Sequence, residues 1–360
     1  MKKIFSLRRY VFASLALLLL MLTPSLIMPL GADGGPDHRV RTLQFGSSGG
    51  NVNDQTRRFC CSGTLGSLVR DTNGTQYILS NNHVMGLSGR ASAGQDISQP
   101  GLIDSNCQVS TVVADFTVAP ALSSNVDAAI AELRPGQMDS NGSILDIGTI
   151  SSVVRAPAVG LSVKKSGRTT GFTTGSITSI NTTVNVRYPK SCGGGGGTTF
   201  TFTNQVVIGS STFSAGGDSG SLIVTNNGCA QPVALLFAGS STSTIGNPAG
   251  QVLTRLSTSL GRTVSFVGGT CTAAASLELR SQSPSDEMMQ KVNAIKDSRE
   301  TSLLLRTGVI GVGVGMADED QSEGVIVVYV DQKAGAKTRL PKQMDGVRVK
   351  VVYTDPFVAY

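Results

Sequence analysis

Residues 216–222, Gly216-Gly217-Asp218-Ser219-Gly220-Ser221-Leu222, set one serine hydroxyl between glycines that leave the backbone amides of Gly217 and Ser219 free to point at a single spot. Such a spot can hold an oxyanion. Gly217 removes the side chain that would keep a reacting carbonyl away, and Gly220 tolerates the tight turn that presents the hydroxyl. In a chain with 43 glycines the same letters also describe an ordinary surface turn, so partners elsewhere must carry the reading.

A serine hydroxyl becomes a nucleophile when an imidazole takes its proton. Of the 2 histidines, His83 follows the apolar run Tyr77-Ile78-Leu79, which reads as a strand ending in a turn. His38 lies in the polar segment Gly34-Gly35-Pro36-Asp37-His38-Arg39, outside any strand pattern, so His83 is the candidate base. The third requirement is a carboxylate that fixes the imidazole tautomer. Asp127, directly before Ala128-Ala129-Ile130-Ala131, is costly to bury without a partner, and His83 would be that partner.

The order His83, Asp127, Ser219, with Cys61-Ser62-Gly63-Thr64-Leu65 ahead of the histidine, resembles a trypsin-like (chymotrypsin-fold) serine peptidase of bacterial secreted type. Lys165-Ser166-Gly167-Arg168-Thr169-Thr170-Gly171-Phe172 resembles the segment opening the second barrel of such enzymes. Val233-Ala234-Leu235-Leu236-Phe237-Ala238-Gly239-Ser240 resembles the strand lining their specificity pocket. The resemblance covers residues 43–268 and implies a mainly β fold of two antiparallel six-stranded barrels, divided near Ser151 to Ala158. His83 and Asp127 then fall in the first barrel and Ser219 in the second. It further implies hydrolysis of protein or peptide substrates through an acyl-enzyme, without cofactor or metal. Gly217 and Ser219 would form the oxyanion hole, and Phe213, Ser214, Ala238, Gly239 and Ser240 the substrate pocket.

Phe213 stands where enzymes cutting after Lys or Arg carry an aspartate, so a cation there would be buried unpaired. Small or medium apolar residues are therefore the expected substrates at that position. No Ile-Val-Gly-Gly-like peptide precedes residue 60, so Asp218 should be held by a backbone amide or an internal cation rather than by a newly released terminus. An α/β-hydrolase is excluded, because position 221 is serine where its elbow needs glycine, and no histidine follows Ser219.

Lys2, Lys3, Arg8 and Arg9 precede an uncharged stretch from Val11 to Leu30, so residues 1–32 read as a secretory signal with cleavage near Ala32. Uncleaved, residues 11–30 would anchor the chain in a membrane. Losing those four cations lowers the net charge from +6 to +2, so the basic balance is no argument for nucleic acid. In an exported chain the 6 cysteines predict disulfides rather than metal ligands. In many family members a cysteine directly after the catalytic histidine pairs with the one in the Cys-Ser-Gly motif, and here Val84 takes that place. Cys107 is then expected to pair with Cys60 or Cys61, and Cys192 with Cys229, leaving Cys271 for the remaining neighbour.

Residues 269–284 read as a linker and residues 285–360 as a small α+β module. A helix opens at Ser285, with Asp286 and Glu287 in its first turn, and three strands follow. The module resembles one with a Gly-Val-Gly-Val-Gly strand that accompanies some bacterial trypsin-like proteins, and its role is not implied by that likeness. Gly311, Gly313 and Gly315 lack the following helix that a dinucleotide site needs, and are expected to clear space for a packed helix. Asp318, Glu319, Asp320 and Glu323 lack the EF-hand spacing and read as a solvated hairpin tip. The alternative function is a non-catalytic exported binding or assembly protein that keeps the barrel fold.

Overall fold

Gly, Asn and Asp turns separate short β-branched runs, and these runs pair as antiparallel strands wherever alternate residues find a common core. The computed structural model describes residues 38–39, 43–271, 283–334 and 338–360, so residues 1–32, read as a secretory signal, and most of residues 269–284, read as a linker, lie outside the described residues.

The first half contains β1 (Ser47–Asn51), β2 (Gly63–Leu65), β3 (Ser67–Asp71), β4 (Gln76–Ser80), a one-turn helix α1 (Asn82–Met85), β5 (Asp96–Gln99), β6 (Thr111–Val118) and β7 (Ala129–Leu133). β2 and β3 are halves of one strand interrupted at Gly66: β2 pairs with β1 and β3 with β4, while β7, β6 and β5 complete the ring. Counting β2 and β3 together, the barrel has six strands around Leu65, Leu68, Ile78, Ile97 and Ile130. Gly66 is required there, since a β-carbon would collide with the carbonyl of Gly220 in the other half.

The second half contains β8 (Ser162–Gly167), β9 (Gly171–Tyr188), β10 (Thr198–Gly209), β11 (Leu222–Thr225), β12 (Pro232–Gly239) and β13 (Ser243–Pro248). They run β10-β13-β12-β11-β8-β9, and β10 pairs back to β9, closing a second six-stranded barrel around Val163, Ile177, Ile208 and Ile223. A helix α2 (Ala249–Leu260) then lays Ala249, Val252 and Leu256 on the first barrel's core, and β14 (Val264–Phe266) pairs with β3. Thr254, Ser257, Thr258 and Ser259 are weak helix formers, although Val252, Leu253, Leu256 and Leu260 recur at helical spacing. Tertiary burial of one stripe supplies what propensity lacks.

After the linker come α3 (Asp286–Leu304), β15 (Val309–Met316), β16 (Gly324–Asp331), β17 (Gln343–Met344), β18 (Val347–Thr354) and β19 (Phe357–Ala359). The Ser285 hydroxyl caps α3 by accepting the Met288 amide at 3.1 Å. These strands join the second barrel: β15 pairs with β9, extending one sheet to eleven strands. The Gly-Val-Gly run answers to that neighbour rather than to a helix, because a β-carbon at Gly313 would strike the Ser179 and Thr182 hydroxyls of β9.

Disulfides join Cys60 to Cys107, Cys61 to Cys192 and Cys229 to Cys271. The first agrees with expectation, whereas a Cys192–Cys229 bond does not form. The loop after β9 carries Cys192 over to the first half, where Gly193 packs on Phe59. Cys229 instead sits by the residues after β14, where Ser151 bridges Gly269. Peptide mapping without reduction should recover these three pairs, and any Cys192–Cys229 peptide would contradict the arrangement. Replacing Cys61 and Cys192 together by serine should cost about 2–5 kcal/mol in urea unfolding.

Candidate active site

Ser80 at the end of β4 pairs with Ala129 at the start of β7, which brings residues 81–83 beside Asp127. Asp127 Oδ1 accepts the His83 amide at 3.1 Å, and Oδ2 accepts both His83 Nδ1 at 2.5 Å and the Tyr188 hydroxyl at 2.7 Å. The Asp127 amide donates to Asn247 at 2.9 Å, and Asn81 donates to the Asp127 carbonyl at 2.6 Å. Burial works against a charged His83, but the Asp127 charge and hydrogen bond, with the Tyr360 carbonyl on the other nitrogen, outweigh it and raise the imidazole above its usual 6.5. Tyr188 packs edge-on to His83, with centroids 5.9 Å apart. Burial and the adjacent Asp127 charge push the Tyr188 phenol far up, so it remains a neutral donor.

Ser219 lies in a loop that the Cys61–Leu65 segment grips across the barrel junction. The Thr64 amide donates to the Ser219 carbonyl at 2.7 Å and its hydroxyl to the Gly217 carbonyl at 3.0 Å, while the Arg168 amide donates to that same hydroxyl at 3.0 Å. Gly217 adopts φ +98°, and a β-carbon there would meet Arg168 and Thr169. Neither the Gly217 nor the Ser219 amide has an acceptor among the described residues. The Ser219 hydroxyl donates to the Phe237 carbonyl at 3.2 Å, and His83 Nε2 donates to the backbone oxygen of Tyr360 at 2.9 Å, so serine and imidazole are not bonded to each other.

Asp218 is held in both of the ways the sequence left open. Its carboxylate accepts the amides of Thr169 (2.8 Å), Thr170 (3.2 Å) and Ala215 (2.9 Å) and the Thr170 hydroxyl (2.7 Å), and the Lys165 ammonium stands 3.7 Å away. Lys165 is wholly buried and also donates to the Gly171 carbonyl at 2.9 Å. Burial lowers its pKa to about 8, which the Asp218 charge offsets only in part.

Next to His83 and Gly217 a cleft of about 320 Å³ runs between Arg90, Arg168 and the Cys61–Cys192 bridge. Burial raises the Asp54 carboxyl on its wall, against the pull of His83 and Arg90. Arg168 is fixed by a two-pronged pair with Asp104, at 2.5 and 2.7 Å.

On the pocket side, the Phe213 ring turns into the barrel beside Gly175, 6.0 Å from Lys165 Nζ. Ser214 bonds Thr244 at 2.6 Å, and Tyr360 lies against Gly239 and Ser240, so a phenol ring fits where small or medium apolar groups were expected. His38 shares none of these contacts: its ring bonds the Gly46 carbonyl at 2.8 Å, Ser166 at 3.0 Å and Asp146 at 3.0 Å. Sequence reasoning missed Lys165, Tyr188 and Tyr360. Only Lys165 had a signal, as an inward position alternating with Val163 on β8.

No protein-family model and no curated protein matches the chain. Among solved structures it is similar to a glutamic-acid-specific serine protease (22% identity, TM-score 0.42, covering 62% of this chain and 100% of that one). It is also similar to Thermobifida fusca Protease A (19%, 0.42, 64% and 100%) and to a Cellulomonas bogoriensis chymotrypsin (17%, 0.40, 63% and 98%).

Lys165→Met would leave Asp218 buried without its cation and should cost about 3–5 kcal/mol. The pH dependence gives an independent readout. Folded Lys165 titrates near 8 and the unfolded side chain near 10.5, so the unfolded state binds more protons between these values. Stability should rise with pH in that window, and the rise should shrink in Lys165→Met when urea midpoints are compared.

Proposed function

We propose that the chain is an exported serine endopeptidase, with residues 43–268 as its catalytic region. The observation that carries this reading is an imidazole braced on a buried carboxylate, on the same cleft as a clamped Gly-Asp-Ser-Gly loop with two unclaimed amides. Ser219 Oγ attacks the peptide carbonyl while His83 Nε2 takes its proton, and the Gly217 and Ser219 amides receive the oxyanion. His83 then passes the proton to the departing amine, leaving an acyl-enzyme that water hydrolyses by the same steps in reverse order. Asp127 keeps Nδ1 protonated and stabilises the imidazolium, and Tyr188 and Asn247 position Asp127. Export is supported by the pairing of the cysteines, none of which is free, together with the basic and apolar pattern of residues 1–32.

One observation favours the non-catalytic reading: Ser219 bonds Phe237 and His83 bonds Tyr360, rather than each other. A fluorophosphonate separates the two readings. It should attach at Ser219 and fail with Ser219→Ala, whereas a folded protein that resists prolonged exposure even when it carries Tyr360→Gly favours a binding role.

Ser219→Ala should lower kcat/KM on peptides by about 10⁴- to 10⁶-fold with its unfolding midpoint nearly unchanged, and His83→Ala should lower it as far while also losing stability, because buried Asp127 loses a donor. Because the base must be neutral and its pKa is raised, kcat/KM should climb with pH on a limb centred above 6.5. A rate that falls through this range would speak against His83 as the base.

A further inference from the structure

β12 outruns its neighbour β11: Leu236 still bonds the backbone of Gly220 and Ser221, and residues 237–239 beyond it present a strand edge to the cleft. That edge is taken. β19 pairs antiparallel with it, Ala359 opposite Ala238 and Val358 opposite Gly239, and parallel with β9 on its other side. Phe357 is wholly buried, edge-on to Tyr329 at 5.7 Å and in one cluster with Tyr188 and Phe237.

Tyr360 comes next and enters the pocket. Its ring packs on the apolar cluster that includes Phe213, and its hydroxyl donates to the Ser240 carbonyl at 3.1 Å. A β-carbon at Gly239 would collide with that hydroxyl. The Tyr360 backbone oxygen meets His83 Nε2 at 2.9 Å, and beyond it the cleft stays open along Gly217 and Arg90.

Taking His83 and Ser219 in the roles given above, we infer that residues 357–360 occupy the acyl side of the cleft as a substrate would. The substrate class is then polypeptide carrying an aromatic residue before the scissile bond, and the enzyme is checked by its own chain until this segment is displaced. Main-chain pairing along an exposed edge supplies affinity, and the buried ring supplies selectivity. A pocket lined by Ser214, Gly239 and the Ser240 carbonyl has room for a ring and a partner for its hydroxyl. The occupied state also withholds the base. His83 donates from Nδ1 to Asp127 and from Nε2 to Tyr360, so both nitrogens carry protons and neither can accept the one on Ser219. As an intramolecular ligand, the segment competes at an effective concentration that free peptides rarely reach.

Tyr360→Asp and Tyr360→Gly test the inference. Relative to wild type, both should react with a fluorophosphonate at least about tenfold faster and hydrolyse acetyl-Phe-Val-Ala-Tyr anilide at least tenfold faster. In a peptide library both should prefer Tyr or Phe over Ala, Val, Lys and Glu before the cleaved bond. Equal reaction of wild type and variants overturns the self-blocking and leaves the peptidase reading intact, while a preference for small or charged residues overturns the aromatic class. If folded wild type and variants all fail to react, the peptidase reading falls. A labelled Phe-Val-Ala-Tyr peptide then decides the slot: binding to the variants but not to wild type keeps the segment in the cleft, and no binding removes it.

Discussion

The carboxylate of Asp127 is withdrawn from water altogether, and an ion in that position is tolerable only if several donors converge on it. The donors come from distant parts of the chain: His83 after β4, Tyr188 at the end of β9, and Asn247 on β13 for the adjoining amide. Satisfying this one charge therefore pins elements of both barrels at the mouth of the cleft. Asp218 repeats the arrangement inside the second barrel, with Lys165 as its cation, so each barrel carries one buried acid whose partners shape the loop beside it.

Much of the candidate site could be read from letters because its chemistry demands rare local contexts. A serine among glycines, an aspartate before an apolar run and a histidine after one are each unusual in a chain this poor in charge. The barrels themselves came through resemblance, since alternation reveals strands but not which strands meet. Long-range partners were illegible for the same reason. Cys107 could be matched to its own barrel, but Cys192 reaches Cys61 only because β9 runs for 18 residues and carries the following loop across. Tyr188 and Tyr360 sit in sequence contexts that fit any strand end. The glycines of β15 were recognised as clearing space, yet whether a helix or a strand would fill it depended on a neighbour more than a hundred residues away.

The two barrels are tied to each other on several sides of the cleft. The Cys61–Cys192 bridge, the Arg168–Asp104 pair and the Thr64 bonds to residues 217 and 219 all cross the junction. Opening by rotation of one barrel against the other would break these together. Motion confined to residues 355–360 breaks far less, so access to the cleft is better controlled by a few residues than by a hinge.

β9 continues past the point where β8 leaves it, and residues 179–187 are bordered on that side by β15 and β19. Ile180, Thr183, Val184 and Val186 lie along this border. Cut after the second barrel, the chain would retain a β-branched edge with unpaired amides and carbonyls, the template on which strands of other molecules add. The C-terminal block thus doubles as a guard against aggregation, and a fragment shortened to the two barrels would forfeit that protection.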